Sequence, residues 1–256
     1  MNLKGQNILV TGASRGIGKS IAMSLLRANA QVGIHYNKGA AEANEIKAKY
    51  PLSETFQADL AQMEEVRQLF EYAIEHFGSL DTIVLNAGVF VPHQIEESNT
   101  KWLDTWRQTM TINLEASGLL TKMGIEHFKN QGGGRFVYIG SRAAFRGETE
   151  EYLAYAASKG GLTSLARTVA RSFGKYNIKS FVIAPGFTRT EMAEDAIRKY
   201  GEGKILSELA LKEITTPEDI APIAVLMCSG QMDHATGSTI DINAGSYIRS
   251  VLNLSL

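Results

Sequence analysis

Tyr155 and Lys159 lie four residues apart in a segment with a strongly helical pattern. Positions i and i+4 share one helix face, with Cβ atoms about 5–6 Å apart. A phenol has a reference pKa of about 10, and a neighbouring ammonium group favours the phenolate and lowers that pKa. The pair therefore predicts general acid–base chemistry at Tyr155. The alternative is two exposed helix residues that share a face by chance.

Polar residues at the ends of other predicted elements favour the chemical interpretation. Ser141 ends a predicted strand, and Asn86-Ala87-Gly88 and Pro185-Gly186 follow two others. Asn113 lies among apolar neighbours in a long predicted helix, where a buried amide needs a hydrogen-bond partner. A doubly wound fold builds its site at the carboxyl ends of its strands, which is where these residues are predicted to lie.

A glycine-rich turn follows the first predicted strand and precedes a helix. It reads Thr11-Gly12-Ala13-Ser14-Arg15-Gly16-Ile17-Gly18. Glycines permit a tight turn and let the backbone approach a diphosphate, to which the helix amino end offers free N–H groups and a positive dipole. A glycine cluster can be a turn and nothing more. At the first strand-to-helix junction of a long alternating pattern, however, it predicts dinucleotide binding.

The residues after the second predicted strand bear on the choice of cofactor. His35-Tyr36-Asn37-Lys38 contains no acid that would hold the ribose 2′-hydroxyl of NAD. Arg15, within the glycine turn, is suited to a 2′-phosphate through paired hydrogen bonds, with Lys38 in a position to assist. These residues favour NADP, with NAD as the less favoured cofactor. The alternative is that Arg15 and Lys38 are solvated surface charges.

Short apolar runs alternate with longer helical patterns along the whole chain. The predicted strands are Asn7–Val10, Gln31–His35, Thr55–Gln57, Thr82–Leu85, Arg135–Gly140, Ser180–Ala184 and Ser238–Ile242. The predicted helices are Gly16–Asn29, Ala40–Tyr50, Met63–Phe77, Thr100–Asn130, Tyr152–Tyr176 and Pro217–Cys228. The alternation predicts an α/β fold: a Rossmann-type, doubly wound, parallel seven-stranded sheet with helices on both faces.

No Pro/Gly/Ser-rich linker divides the sequence, so we expect one domain over residues 1–256. The charged, partly helical stretch at Thr188–Leu211 follows a predicted strand and is predicted to be a substrate lid. A formal net charge of −1 gives no electrostatic reason to expect nucleic acid or an anionic membrane as a partner. The histidines lack metal-ligand spacing, so no metal site is predicted.

The start of the chain lacks the pattern of a signal peptide, and no apolar stretch nears the roughly 20 residues needed to cross a bilayer. The single cysteine, Cys228, cannot form an internal disulfide, which fits a reducing compartment. We therefore expect a cytoplasmic protein.

These motifs together resemble the short-chain dehydrogenase/reductase family in its single-domain form. The resemblance runs from about Lys4 to Gly245 and implies a catalytic tetrad of Asn113, Ser141, Tyr155 and Lys159. Tyr155 would protonate the developing alkoxide as hydride arrives from the nicotinamide, and Ser141 would hydrogen-bond the carbonyl oxygen. Lys159 would bind the nicotinamide ribose and lower the pKa of Tyr155. Asn113 would hold a water that connects Lys159 to solvent.

The resemblance also implies which residues bind the dinucleotide. They are Gly12, Ser14, Arg15, Gly16, Ile17, Gly18, Asn37, Asp59, Leu60, Asn86, Ala87, Gly88, Tyr155, Lys159, Pro185, Gly186 and Thr188. Asp59 would contact the adenine, and the backbone of Thr188 would meet the carboxamide, at a position where relatives commonly have Ile or Val.

The implied reaction is NADPH-dependent reduction of a ketone to a secondary alcohol, and the chain resembles the 3-oxoacyl-[acyl-carrier-protein] reductases. The substrate would be a small-molecule ketone or an acyl-carrier-linked one. Dehydrogenation of a sugar, steroid or other alcohol by the same tetrad is the alternative. A cofactor-binding regulator without turnover is a third possibility, against which the intact tetrad argues. The resemblance further implies a homotetramer that pairs the Thr100–Asn130 and Tyr152–Tyr176 helices.

Overall fold

A computed structural model describes residues 1–249 of the chain, apart from the side chains of residues 192, 195, 196, 199 and 200. The predicted single domain over residues 1–256 therefore ends in residues that lie outside this description. Among the described residues, no helix has both the length and the hydropathy of a membrane span.

Seven parallel strands form the sheet. They are β1 (Asn7–Val10), β2 (Gln31–Tyr36), β3 (Ser53–Gln57), β4 (Thr82–Leu85), β5 (Gly134–Ile139), β6 (Ile178–Pro185) and β7 (Thr239–Ile242). Their spatial order is β3-β2-β1-β4-β5-β6-β7, which confirms the predicted Rossmann-type doubly wound architecture. The ends of the strands depend more on pairing with neighbouring strands than on the limits of the apolar runs. Strand β3, for example, begins at the polar residue Ser53 because Ser53 pairs with Val32 of β2.

The helices lie between successive strands. They are α1 (Gly16–Arg27), α2 (Ala40–Lys49), α3 (Met63–Phe77), α4 (Asn99–Met110), α5 (Ala116–Gln131), α6 (Ala143–Arg146), α7 (Leu153–Phe173), α8 (Glu191–Tyr200), α9 (Glu202–Ser207) and α10 (Pro217–Cys228). Helix α10 begins with a capping box, in which Thr216 and Asp219 satisfy each other's backbone N–H groups.

Alternate residues of the central strands β1, β4, β5 and β6 belong to two hydrophobic cores, one on either face of the sheet. In β1, Ile8 and Val10 pack with apolar residues of α1, α2 and α10. Leu9, between them, packs with residues of α3, α5 and α7. Burial on both faces explains why the strands read as nearly continuous apolar runs.

The direction of winding reverses between β1 and β4, which are neighbours in the sheet although two other strands separate them along the chain. Val10 pairs with Val84, so the glycine turn after β1 and the Asn86 loop after β4 leave the sheet side by side. A crevice outside the carboxyl ends of strands at such a switch point is where this kind of fold binds ligands.

The long helix predicted over Thr100–Asn130 is divided in the structure. One turn of π-helix, Thr111–Glu115, separates α4 from α5, and the backbone N–H of Ala116 donates to the carbonyl of Thr111. A π turn inserts an extra residue and is often found at functional sites. Asn113 lies in this turn and is completely buried.

The segment predicted as a lid contains helices α8 and α9. Buried Ile205, Leu209 and Ile214 form a small separate cluster, against which Phe187 packs from the β6 side. The carbonyl of Ala244, after β7, accepts a hydrogen bond from the N–H of Ala210 at 2.9 Å. The segment therefore carries its own small core, held at one side to the end of the sheet.

Candidate active site

A cavity of about 590 Å³ opens at the carboxyl ends of the central strands. The predicted site residues that line it are Gly12, Ser14, Arg15, Gly16, Ile17, Asn37, Asp59, Leu60, Asn86, Ala87, Gly88, Ser141, Tyr155, Lys159, Pro185, Gly186 and Thr188. The two others, Gly18 and Asn113, do not line this cavity and lie behind its wall. The structure thus brings together residues that lie far apart along the chain.

The glycine turn has the shape that a dinucleotide phosphate needs. Gly12 and Gly16 have φ angles of +63° and +54°, a region that side chains disfavour. Helix α1 begins at Gly16 with no acidic residue in its first turn, so its free N–H groups and positive dipole are available to an anion. The residues present therefore fit a diphosphate at this end of the cavity.

Gly18 acts through packing. A Cβ atom at this position would lie 2.2 Å from the carbonyl oxygen of Gly12 and 2.4 Å from Nδ2 of Asn86. Only glycine lets helix α1 approach the turn this closely. The structure gives Gly18 a supporting position behind the phosphate turn.

Asn86 fastens the glycine turn to the loop after β4. Its Nδ2 donates to the carbonyl oxygens of Thr11 at 2.8 Å and Gly12 at 3.0 Å. The hydroxyl of Thr11 accepts hydrogen bonds from the backbone N–H groups of Asn86 and Ala87 at 2.9 and 3.0 Å. Asn86 lines the cavity, but both of its amide hydrogens hold the backbone of the turn.

His35 is a positioning residue that the sequence motifs do not reveal. The N–H of Gly12 donates to its Nδ1 at 2.9 Å, and its Nε2 lies 3.1 Å from the carbonyl oxygen of Ala58. Because a carbonyl only accepts, the proton of the neutral ring must be on Nε2. Burial lowers the pKa of His35 from 6.5 to about 4. The one signal in the sequence is its place at the end of the second predicted strand.

The depressed pKa of His35 makes folding sensitive to acid. The unfolded chain takes up a proton near its ordinary pKa of 6.5 while the folded chain resists until about pH 4, so stability is lost as pH falls through that window. Between about pH 7 and about pH 5 we expect His35 to reduce the free energy of unfolding by about 2 kcal/mol. Urea titrations of His35→Gln should show a correspondingly flatter pH dependence, whereas His234→Gln should keep that of the unaltered chain. An unchanged slope in His35→Gln would contradict the assignment.

The far end of the cavity, near β2 and β3, is lined by polar residues. Asn37 donates through Nδ2 to Asp59 Oδ1 at 3.1 Å, which orients that carboxylate beside Leu60. Arg15 faces Glu191, at the start of α8, with Nη1 and Oε2 3.5 Å apart and both side chains mostly exposed. Such exposed pairs are weak, so Arg15 can exchange this partner for a stronger anion.

Two further residues at this end lie outside the predicted site. Lys38 lines the cavity, in agreement with its proposed assisting position. Glu42, in the first turn of α2, also lines it, and no sequence motif pointed to this acid. This end of the cavity therefore contains a carboxylate, although no acidic residue directly follows β2.

At the opposite end, Tyr155 and Ser141 are hydrogen-bonded through their hydroxyl groups. Ser141 Oγ accepts a hydrogen bond from the N–H of Ala143 at 3.1 Å, so its own proton is available to another oxygen. The two hydroxyls come from the loop after β5 and from α7, and both residues line the cavity. Together they form a pair of donors suited to one substrate oxygen.

The prediction that Lys159 lowers the pKa of Tyr155 is wrong for this structure, in which the pKa of Tyr155 is raised. Burial raises the pKa of Tyr155, and this outweighs the hydrogen bond from Ser141, which lowers it. Lys159 is not among the causes of the shift; its Nζ lies 5.8 Å from the centre of the Tyr155 ring. Tyr155 is consequently a neutral phenol at neutral pH and is ready to donate a proton.

Lys159 is nearly completely buried, and its Nζ donates to the carbonyl oxygen of Ile139 at 2.9 Å. Burial lowers the pKa of Lys159 from 10.5 to about 8. At neutral pH the side chain is therefore still mostly an ammonium group, which brings a positive charge to the cavity floor beside Gly88.

Asn113 holds the site together from behind. Its Nδ2 donates to the carbonyl of Val89 at 3.0 Å and to Ser158 Oγ at 3.1 Å, while its Oδ1 accepts from the N–H of Val89 at 2.7 Å. These bonds tie the π turn to the loop after β4 and to α7. The side chain thus has a structural task beside the water-binding one that the family resemblance implies.

Two other aromatic rings shape the catalytic end. Phe90 meets Tyr155 edge to face, with ring centres 4.7 Å apart, and stacks on Tyr152 at 3.7 Å. Tyr152, three residues before Tyr155, is thereby engaged in packing. Phe90 follows the Asn86 loop, and no sequence motif pointed to it.

Beyond Tyr155, the turn after β6 closes the cavity. The N–H of Gly186 donates to the carbonyl of Ile242, the last residue of β7, at 2.8 Å. A Cβ on Gly186 would lie 2.6 Å from Cβ of Asn243. Thr188 is nearly buried and donates from Oγ1 to the carbonyl of Gly186 at 3.1 Å. Close packing against the chain after β7 therefore sets the position of this turn.

Arg142, the residue after Ser141, also lines the cavity although only 7% of it is exposed. Burial lowers the pKa of Arg142, and the nearby Arg146 lowers it further. The sequence predicts that the loop beginning at Arg142 flanks the substrate, but it does not predict the burial of this arginine, since a scattered arginine is usually a solvated surface charge.

The described part of the chain offers no cluster for a metal ion. No group of three or more His, Cys, Asp or Glu side chains within it is placed to hold one.

A family model described as enoyl-(acyl carrier protein) reductase matches residues 12–246 of this chain. The chain is 30% identical over 247 residues to the 3-oxoacyl-[acyl-carrier-protein] reductase of Staphylococcus epidermidis, with 95% of this chain and 99% of that protein covered.

Two solved structures have a closely similar fold. A short-chain dehydrogenase from Burkholderia cenocepacia in complex with NADP has a TM-score of 0.87 at 29% identity, with 96% of this chain and 99% of that chain covered. A 7α-hydroxysteroid dehydrogenase complexed with NADH and 7-oxo glycochenodeoxycholic acid has a TM-score of 0.88 at 27% identity, with 95% of both chains covered.

Proposed function

The chain belongs to the short-chain dehydrogenase/reductase family of oxidoreductases that act on CH–OH groups, and from this premise we propose that it reduces a ketone to a secondary alcohol with NADPH. The observation that carries the proposal is that Tyr155 and Ser141 bring their hydroxyl groups together at one end of the large cavity. A phenol held in its neutral form is a proton donor, which is what reduction of a carbonyl requires.

Each residue at the catalytic end has a task in this proposal. The nicotinamide, when bound, supplies the hydride. Ser141 and Tyr155 donate hydrogen bonds to the carbonyl oxygen, and Tyr155 gives its proton to that oxygen as negative charge develops on it. The ammonium group of Lys159, at the cavity floor beside Gly88, is proposed to bind the nicotinamide ribose. Asn113 holds the π turn and α7 in register, so the donors keep their geometry.

We propose NADPH as the preferred cofactor because Arg15 and Lys38 line the end of the cavity that lies near β2. The cation of Arg15 is paired with an exposed carboxylate, which a 2′-phosphate would displace. Among the similar structures, one holds NADP and the other NADH, so either dinucleotide is compatible with the fold. Thr188 and Asp59 are proposed to contact the carboxamide and the adenine.

The contribution of Arg15 is open to a direct test. Replacing it with alanine is expected to weaken NADPH binding about tenfold, the effect of losing a charge-assisted hydrogen bond, while NADH binding stays unchanged. Fluorescence titration of both cofactors measures the two affinities. Arg27→Ala, an exposed arginine at the end of α1, is the matched control and should alter neither. An equal loss for NADPH and NADH would show that Arg15 does not recognise the 2′-phosphate.

The similarity to 3-oxoacyl-[acyl-carrier-protein] reductases makes 3-oxoacyl thioesters the first substrates to examine. A panel of ketones and alcohols with NADPH, NADH and their oxidised forms, read as absorbance of the reduced nicotinamide, tests the proposed reaction. Consumption of NADPH with a ketone supports it, and turnover confined to alcohols with oxidised cofactor contradicts it.

Dehydrogenation of a steroid, sugar or other alcohol is the second candidate. The similarity to a 7α-hydroxysteroid dehydrogenase favours it. This direction needs Tyr155 as a base, whereas burial favours its neutral form. The same substrate panel distinguishes the two directions.

We also propose that the chain forms a homotetramer through α4, α5 and α7. Leu103 of α4 and Leu153 of α7 are large apolar residues with more than a third of their surface exposed, and Trp102 and Trp106 stack on each other at 5.1 Å. Light scattering of the purified protein measures the assembly. The segment with α8 and α9 is proposed to close over the substrate.

A further inference from the structure

Arg142 is a buried cation at the catalytic end of the cavity. It directly follows Ser141, its backbone N–H donates to the carbonyl of Pro185 at 2.9 Å, and 9% of its side chain is exposed. Both Ser141 and Pro185 line the same cavity. The guanidinium lies near enough to the proposed proton donor Tyr155 for the two side chains to interact electrostatically.

The guanidinium of Arg142 is incompletely partnered. Its Nη1 is buried without a hydrogen-bond partner among the described residues. Its Nη2 lies 3.9 Å from Oε2 of Glu208, which is too long for a hydrogen bond. A buried guanidinium has five N–H donors, and leaving them unpaired costs free energy unless a ligand accepts them.

The surrounding charges do not supply the missing acceptor. Arg146 Nη1 lies 3.8 Å from Glu208 Oε2, and Arg146 Nη2 lies 3.6 Å from Glu148 Oε1. Arg146 thus forms ion pairs with both carboxylates. Glu208 is half exposed and follows α9 in the segment that we propose as the lid, so an anion that enters the cavity can replace it.

The position of Arg142 favours a substrate anion over a cofactor phosphate. The diphosphate is expected at the glycine turn, and Arg15 is the cation proposed to meet the 2′-phosphate at the β2 end of the cavity. Arg142 instead directly follows Ser141, which is proposed to bind the substrate carbonyl, and both residues line the same cavity. An anion at Arg142 would therefore belong to the molecule that is reduced.

We propose that Arg142 binds a carboxylate of the substrate, so that the chain reduces an oxo acid whose acid group is free. This inference rests on the proposed ketone reduction and selects among its substrates. In a carrier-linked substrate the acid group is bound as a thioester and carries no negative charge. Arg142 would then remain without a charged acceptor. The planar guanidinium matches a carboxylate through two parallel hydrogen bonds.

The test measures binding of acids against their uncharged esters. The protein is saturated with oxidised NADP, which cannot reduce a ketone, and titrated calorimetrically with 2-oxobutanoate, 3-oxobutanoate and 4-oxopentanoate and with their methyl esters. We expect at least one acid to bind about tenfold or more tightly than its ester, and Arg142→Met to remove that preference. Arg189→Met, an arginine outside the cavity that pairs with Glu202, should retain it.

Equal affinity for acids and esters, absence of binding by every acid, or a preference that survives in Arg142→Met would each overturn the inference. If Arg142→Met does not fold, as judged by thermal unfolding, the comparison in the unaltered protein and in Arg142→Lys still decides it. Acid-selective binding without NADPH consumption would contradict the proposed reduction alone. Reduction of esters without acid selectivity would contradict this inference alone.

Discussion

Tyr155→Phe is expected to lower kcat by about 10²- to 10⁴-fold while leaving NADPH affinity unchanged. The substitution removes one hydroxyl and keeps the ring, so the edge-to-face contact with Phe90 remains. The carbonyl oxygen then loses its proton donor, and Ser141 alone stabilises the developing charge. Initial-rate assays of NADPH oxidation and fluorescence titration of NADPH measure the two quantities separately.

Tyr152→Phe is the matched control, because the two tyrosines lie three residues apart and both contact Phe90. Its ring stacks on Phe90, and Phe retains that stacking, so kcat should stay within a few-fold. Unchanged turnover in Tyr155→Phe would contradict the catalytic assignment. Absence of turnover in the unaltered protein, with NADPH bound, would instead favour a cofactor-binding regulator.

Gly18→Ala is expected to produce the largest loss of cofactor binding. The added Cβ would lie 2.2 Å from the Gly12 carbonyl oxygen and 2.4 Å from Asn86 Nδ2, so helix α1 and the turn must separate. We expect about 3 kcal/mol of lost stability, at the upper end for overpacking, and about a hundredfold weaker NADPH binding if the turn absorbs the strain. Urea unfolding and NADPH titration measure the two effects.

Gly203→Ala is the control for this substitution. Gly203 lies in α9, and a Cβ added there would meet no heavy atom within 4 Å among the described residues, so alanine fits and favours the helix. NADPH binding should be unaffected. Tight NADPH binding by Gly18→Ala would mean that the turn does not have to touch α1 in order to hold the diphosphate.

Local patterns in the sequence account for much of the fold and of the cavity lining. The seven strands follow from apolar runs, and the glycine turn follows from the junction of β1 with α1, because both are properties of short segments. The residues Tyr155 and Lys159 were predictable as a pair, since their spacing in a helix places them on one face.

The split of the predicted Thr100–Asn130 helix was not predictable from periodicity. The π turn at Thr111–Glu115 accompanies the hydrogen bonds of Asn113 to Val89 and Ser158, which belong to other elements of the chain. The place of Asn113 behind the cavity wall follows from the same long-range contacts.

The sequence alone predicted the doubly wound fold, a phosphate-binding role for the glycine turn and a proton-donating role for Tyr155, because each prediction depends on patterns within short segments. The tertiary structure alone supplied the rest. It placed His35 against Gly12, buried Arg142 beside Ser141, and raised the pKa of Tyr155 where Lys159 was expected to lower it. Burial and charge at a site depend on segments far apart in the chain, and no local pattern encodes how closely they pack.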